Sequence, residues 1–182
     1  MKRNEAMNEI TIRSATPADA EAIWSIYRYY VEHTAISFEI TMPTAEQIRQ
    51  RIEKVLASFP YLVAENAGQI LGYAYAGPFI PREAYAHCAE VSIYISRENR
   101  RSGIGRQLYE KLTEQLVAMG ITQIYACIGV PEVEDEYLNN NSAQFHAHMG
   151  FQEVGRFRNC GKKFGRCYHM IWMEKIIAHS GH

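Results

Sequence analysis

Val91-Ser-Ile-Tyr-Ile-Ser-Arg-Glu-Asn-Arg-Arg-Ser-Gly-Ile-Gly-Arg106 is the stretch on which the reading of this 182-residue chain turns. Val91, Ile93 and Ile95 alternate with Ser92, Tyr94 and Ser96, the period of a strand with two different faces. The strand runs into a loop holding Arg97, Arg100 and Arg101, and Gly103-Ile104-Gly105 then opens a helix with Arg106 in its first turn. Physically this is an anion cradle. The unpaired N–H groups and the dipole of a helix start favour negative charge, glycines let phosphate oxygens approach the backbone, and arginines supply charge-assisted bonds. The Gly-Lys-Ser/Thr ending of a Walker loop is missing. A Gly-kinked turn with solvated arginines is the plain alternative. Four arginines between positions 97 and 106, in a chain of net charge -1, argue against it.

Outward from this segment the elements alternate. Ile10–Arg13 reads as a short strand, and Thr16-Pro17 opens a helix through Ile23, Ile26, Tyr27 and Tyr30. Thr44-Ala45-Glu46-Gln47 is a capping box before a second helix with Ile48, Ile52 and Leu56, and Pro60 ends it. Tyr61–Ala64 and Ile70–Ala76 flank Asn66-Ala67-Gly68 as a hairpin, and Ala89–Ser96 is the strand quoted above. The helix from Gly103 stops at Gly120, Gln123–Ile128 is a strand, and a short helix around Ala143–His148 ends at Gly150. Phe151–Phe157 and Tyr168–Lys175 close the chain as an antiparallel pair. The order β-α-α-β-β-β-α-β-α-β-β predicts an α/β fold with a mixed sheet, because a doubly wound nucleotide fold alternates strands and helices strictly.

Composition bounds the function. Nineteen basic against twenty acidic residues remove the broad electrostatic footprint of a nucleic-acid binder. No run approaches the ~20 apolar residues of a membrane span, and the N-terminus lacks the apolar run of a signal peptide. Cys88, Cys127, Cys160 and Cys167 are widely spaced, which predicts reduced thiols in a cytoplasmic protein. His87, His148 and His169 lack metal-ligand spacing with Cys or acid partners, so no metal is expected. We expect a flexible leader over 1–9, one domain over 10–177 and a tail over 178–182.

Arg100-x-x-Gly103-x-Gly105 after a strand resembles the acetyl-CoA pyrophosphate signature of the GNAT superfamily of N-acetyltransferases, whose element order is also the one above. Ala89-Glu90-Val91-Ser92-Ile93-Tyr94-Ile95, Asn139…Ser142…Phe145-His146…Gly150-Phe151, Gly161-x-Lys163-Phe164-Gly165-Arg166 and His33-Thr34-Ala35…Phe38 are similar to its phosphinothricin and methionine sulfoximine N-acetyltransferase subfamily. The resemblance covers about residues 10–175. It implies a mostly antiparallel sheet flanked by helices, and acetyl-CoA as co-substrate. The backbones of Ile93, Tyr94 and Ile95 would pair with the pantetheine. Arg100, Arg101, Ser102, Gly103, Ile104, Gly105 and Arg106 would surround the pyrophosphate, and Asn139 would touch the cofactor arm. The acceptor implied is a small amino-acid-like amine, attacked directly in a ternary complex by an enzyme that is a homodimer.

Amine acetylation needs a base for the ammonium proton and an acid for the leaving thiolate. By the resemblance Glu90 is the base and His146 the acid. A strand-end ion pair for Glu90 and a structural role for His146 are the plain alternatives. Cys127 is a tempting nucleophile, but its strand setting predicts a buried, apolar thiol. Phe38, Arg82 and Tyr85 are candidates to hold the acceptor. Ile80 stands where relatives often carry a basic residue, Cys167 and His169 replace an expected Trp and Asp, and Glu132-Val-Glu-Asp-Glu136 lengthens the loop before Asn139. Those departures leave open a protein N-terminus or a polyamine as acceptor, the acidic loop being able to attract a cationic amine. A non-catalytic acyl-CoA-binding module also stays open.

Overall fold

The computed structural model describes residues 10–178, so the expected leader and all but the first residue of the expected tail lie outside the described residues. In chain order the elements are β1 (Thr11–Ser14), α1 (Ala20–His33), α2 (Ala45–Leu56), β2 (Tyr61–Asn66), β3 (Gln69–Pro78), β4 (Cys88–Ile95), α3 (Ile104–Ala118), β5 (Gln123–Val130), α4 (Asn141–His148), β6 (Gln152–Lys163) and β7 (Arg166–Ile176). Single 3-10 turns precede α1, β4 and α3. This is the expected order. The seven strands form one sheet, β1-β2-β3-β4-β5-β7-β6, antiparallel everywhere except between β4 and β5.

Local chemistry explains the boundaries. At the start of α2 the Gln47 amide donates to Thr44 Oγ1 at 3.1 Å, and the Thr44 amide donates to Gln47 Oε1 at 2.8 Å. The reciprocal pair satisfies two of the orphan donors of a helix start. Ala67 and Gly68 both take positive φ, 49° and 80°, the turn that matches the twist of a two-residue hairpin. Gly120, at φ 86°, ends α3.

The two sheet faces are covered differently. Ile23, Tyr27 and Tyr30 of α1 and Ile48 and Ile52 of α2 pack on Tyr61, Val63 and Tyr73. Leu108, Leu112 and Leu116 of α3 pack on the opposite face, against Leu62, Ala74 and Val91. Each such leucine contributes about 2 kcal/mol by burial. The helices cover the first face only over β2, β3 and β4. Over β5 and β7 it is covered in part by Phe38 of the 34–44 connection and by Phe79 of the connection before β4. β6 and β7 run further than the sequence pattern predicts. β6 is an exposed edge strand interrupted by register shifts near Gly155 and Gly161, so no alternation marks its full length.

Candidate active site

β4 and β5 pair only at Cys88↔Gln123, Ala89↔Ile124 and Glu90↔Tyr125, and then diverge. Beyond Glu90 they enclose a slot of about 50 Å³ lined by Ser92, Ile93, Tyr94, Cys127, Tyr109 and His146 among others. A strand edge released from its neighbour is a ready template for an extended partner. Ile93 and Tyr94 line this slot, and Ile95 continues the same strand. The Tyr94 ring is turned away into a tyrosine cluster, 5.1 Å from Tyr27 and 5.0 Å from Tyr30, leaving only its backbone to the slot side.

The cradle follows at once. Arg101 and Gly103 take left-handed φ of 63° and 82°, and α3 begins at Ile104 with no acid in its first turn. Its N-terminal field is therefore positive. Gly105 serves a different need: a Cβ there would lie 3.0 Å from the Phe145 ring tip and 3.6 Å from Ile93 Cδ1. Arg101, Ser102 and Arg106 are exposed. Arg100 lies 5.2 and 5.3 Å from the Tyr29 and Tyr30 ring centres, and Arg97 5.3 Å from Tyr29, so both rest on α1. Asn139 is exposed, and its Oδ1 accepts from the Asn141 amide at 3.0 Å at the start of α4.

Glu90 ends the paired part of β4, opposite Gly77 on one side and Tyr125 on the other. It is half-buried, and that desolvation raises its pKa. His146 is buried, 4% exposed, between two fixed partners. Its Nδ1 is 2.7 Å from the Ser142 carbonyl oxygen, which can only accept, so Nδ1 carries the hydrogen. Nε2 is then an acceptor, and the Tyr109 hydroxyl donates to it at 2.8 Å. Burial lowers the His146 pKa to about 4, so the ring is neutral at physiological pH. The proton expected from His146 is thus not on the nitrogen that faces Tyr109. Tyr109, which no sequence motif flagged, lines the slot beside His146.

Cys127 corrects another expectation, since it is exposed and Cys88 is the buried thiol. Partial desolvation with Glu90 and Cys160 nearby raises the Cys127 pKa to about 11. It remains a thiol, not the thiolate a nucleophile requires.

On the acceptor side Phe38 is clamped between strands. A Cβ on Gly161 would lie 2.7 Å from its ring and one on Gly129 3.1 Å from it. The 34–44 connection is further pinned by the buried Lys163 ammonium, which donates to the Ser37 carbonyl at 2.6 Å. Arg82 and Tyr85 stay exposed in the connection before β4. Tyr85 reaches only the edge of Phe79, which stacks on Tyr125 at 4.0 Å and meets Trp172 at 5.4 Å. These aromatics beside Glu90 come from three chain segments, and no local spacing announced them. Asp135 and Glu136 both pair with Arg166, and Glu134 accepts from Asn140. Among the described residues no group of three or more His, Cys, Asp or Glu could hold a metal ion, and no helix is long and apolar enough to cross a membrane.

A model of the Acetyltransferase (GNAT) domain family matches residues 12–172. The chain is 36% identical to a phosphinothricin N-acetyltransferase of Alcaligenes faecalis, over 92% of this chain and 82% of that protein. It is 32% identical to an L-methionine sulfoximine/L-methionine sulfone acetyltransferase of Pseudomonas paraeruginosa, over 90% and 92% respectively. A GNAT superfamily phosphinothricin acetyltransferase of Sinorhizobium meliloti, solved in complex with AcCoA, superposes with a TM-score of 0.83 at 32% identity, covering 92% of this chain and 88% of that one.

Proposed function

The chain belongs to the GNAT acetyltransferase family, and from that premise we propose that it acetylates the primary amine of a small amino-acid-like acceptor, of phosphinothricin or methionine sulfoximine type, by direct attack with both substrates bound. It is an N-acetyltransferase that uses acetyl-CoA. The observation that carries the acceptor chemistry is Glu90, a desolvated carboxylate at the point where β4 and β5 part.

The residues present suit the donor. The free edge of β4 after Glu90 offers backbone partners to the pantetheine arm, and Arg101, Ser102, Gly103, Ile104, Gly105 and Arg106 surround the amides of the α3 start for its pyrophosphate. Arg100, Arg97 and Asn139 flank them. When bound, acetyl-CoA supplies the acetyl group as an activated thioester. Glu90 takes one proton from the acceptor ammonium, leaving a neutral nitrogen to attack. Its raised pKa brings it closer to the amine it must serve. His146, fixed by Ser142, accepts the Tyr109 hydroxyl hydrogen at Nε2 and so holds that hydroxyl at the wall of the slot, and the proton gained by the departing sulfur is balanced by the one Glu90 has taken. No acyl-cysteine is needed, in keeping with the raised pKa of Cys127.

A thiol-release assay with acetyl-CoA and an amine panel that includes methionine sulfoximine and phosphinothricin tests the reading. Amine-dependent release, lost in Glu90→Ala, is expected. Binding of CoA with no turnover on any amine would leave only an acyl-CoA-binding module. We further place the enzyme in the cytoplasm as a homodimer. Four free cysteines suit a reducing compartment, and Val154 and Phe157 on the outer strand β6 offer an exposed apolar edge to a second copy. A sedimentation mass equal to the single 20.9 kDa chain would overturn the dimer.

A further inference from the structure

A second cavity lies apart from the slot between β4 and β5. It is a chamber of about 440 Å³ between α2 and β3, of a volume suited to a drug-sized ligand and well above the roughly 50 Å³ of the slot. Tyr61, Tyr73 and Tyr75 form its floor as a ladder of near-parallel rings, with centroids 4.9 to 6.4 Å apart and planes 11° to 22° from one another. Ser58 of the segment after α2 stands at its wall, and Gly77 of β3 at its end.

Gly77 makes the chamber more than a gap under a helix. In the β3–β4 register it lies opposite Glu90, and a Cβ built on it would meet nothing within 4 Å. The chamber thus reaches the strand position paired with Glu90, with room left for a side chain at Gly77. Tyr75, two residues earlier on the same face, is close enough to Glu90 to feel its charge. Beyond Glu90 the surface stays aromatic, with Tyr125 opposite it on β5 under the Phe79 ring. Two cations, Arg51 and Lys54, line the chamber. Arg51, on the chamber wall, is held by both oxygens of Glu39, Lys163 by the Ser37 carbonyl, and Arg82 stands in solvent. A chamber floored by stacked phenol rings favours a flat apolar body by offset stacking, with Arg51 and Lys54 on its α2 side.

We infer that the chamber receives the body of the acceptor, so that the enzyme acetylates primary amines carried by a short chain on a planar aromatic ring, in addition to the short polar acceptors. The inference rests on the reading of Glu90 as the base of an acetyltransferase. The bond changes are those of that reaction: the amine nitrogen takes the acetyl carbon from sulfur, and the ammonium proton passes to Glu90.

Initial rates with acetyl-CoA and tyramine, tryptamine, tryptophan and methionine sulfoximine test it. The expected result is a kcat/KM for tyramine or tryptamine at least tenfold above that for methionine sulfoximine. Ser58→Trp fills the chamber from an exposed position, and Gly77→Val narrows the passage at a site with room for a side chain. Each should lower the tyramine-to-methionine sulfoximine ratio of kcat/KM at least tenfold, with thermal melting reporting on the fold. Turnover of methionine sulfoximine without turnover of any aromatic amine overturns the inference and leaves the proposed function standing. A ratio that neither variant moves overturns the chamber's role. No turnover of any amine overturns both.

Discussion

Glu90 and His146 are both titratable groups moved by burial, and in opposite chemical senses. Desolvation disfavours the charged form of each, so the carboxylate holds its proton to higher pH and the imidazole loses its proton at lower pH. For Glu90 the base form exists only above its raised pKa. The acid limb of kcat/KM should therefore fall off at a pH above the ordinary carboxylate range. Glu90→Gln should remove that limb and lower kcat by roughly 10²–10⁴, and a pH–rate profile on both proteins decides it. For His146 the folded pKa of about 4 lies below the ordinary value of 6.5. The unfolded chain then binds more protons between those values, so stability is full above about pH 6.5 and is lost as pH falls toward 4. The ceiling of this effect is about 3 kcal/mol. His146→Gln should flatten that part of the pH–stability curve in urea titrations, whereas an unchanged slope would mean the ring is charged when folded. Tyr109→Phe removes the hydrogen bond to His146 and the hydroxyl in the slot, and is expected to lower kcat while leaving the KM for acetyl-CoA within a factor of about three on the hydrogen-bond scale.

At the scale of elements, glycines decide what may approach what. Gly105 brings α3 against Phe145 of α4 and Ile93 of β4, so one residue couples the cradle to the strand edge. Overpacking there costs ~1–3 kcal/mol, a fall in Tm of roughly 3–10 °C for a chain of this size. Gly105→Val should show that fall in a melting curve together with a raised KM for acetyl-CoA. Gly161→Ala would put a Cβ 2.7 Å from the Phe38 ring and push it from its seat between β5 and β6. Its signature should be a changed KM for the acceptor with the KM for acetyl-CoA unmoved. The first effect was partly legible, because Gly103-x-Gly105 after a strand reads as a helix start built for close approach. The second was not. Phe38 and Gly161 are 123 positions apart, and nothing local to either shows that they touch. The same holds for the acidic run. Within it Asp135 and Glu136 share Arg166, 30 positions from Glu136, and Glu134 accepts from Asn140.

Over the whole molecule the charge is near balance, and the local excess of arginine at the α3 start is what a phosphate-bearing donor meets. Salt screens such exposed charge, with a Debye length of ~10 Å at 0.1 M and ~3 Å at 1 M. Raising the salt across that range should therefore raise the KM for acetyl-CoA several-fold with kcat little changed, and a flat KM would remove the exposed arginines from donor binding. The sequence by itself determined the order of elements, the strand–loop–helix cradle and the side of β4 on which Glu90 projects. All three depend on residues within a helical turn or a strand period of each other, where spacing alone sets geometry. Tertiary structure alone decided that β4 and β5 part after Glu90, that Tyr109 and His146 meet at the slot, and that a tyrosine-floored chamber reaches Gly77, the register partner of Glu90. Each of these joins segments distant along the chain, and which of them meet is set by how the helices bury their apolar faces against the two sides of one twisted sheet.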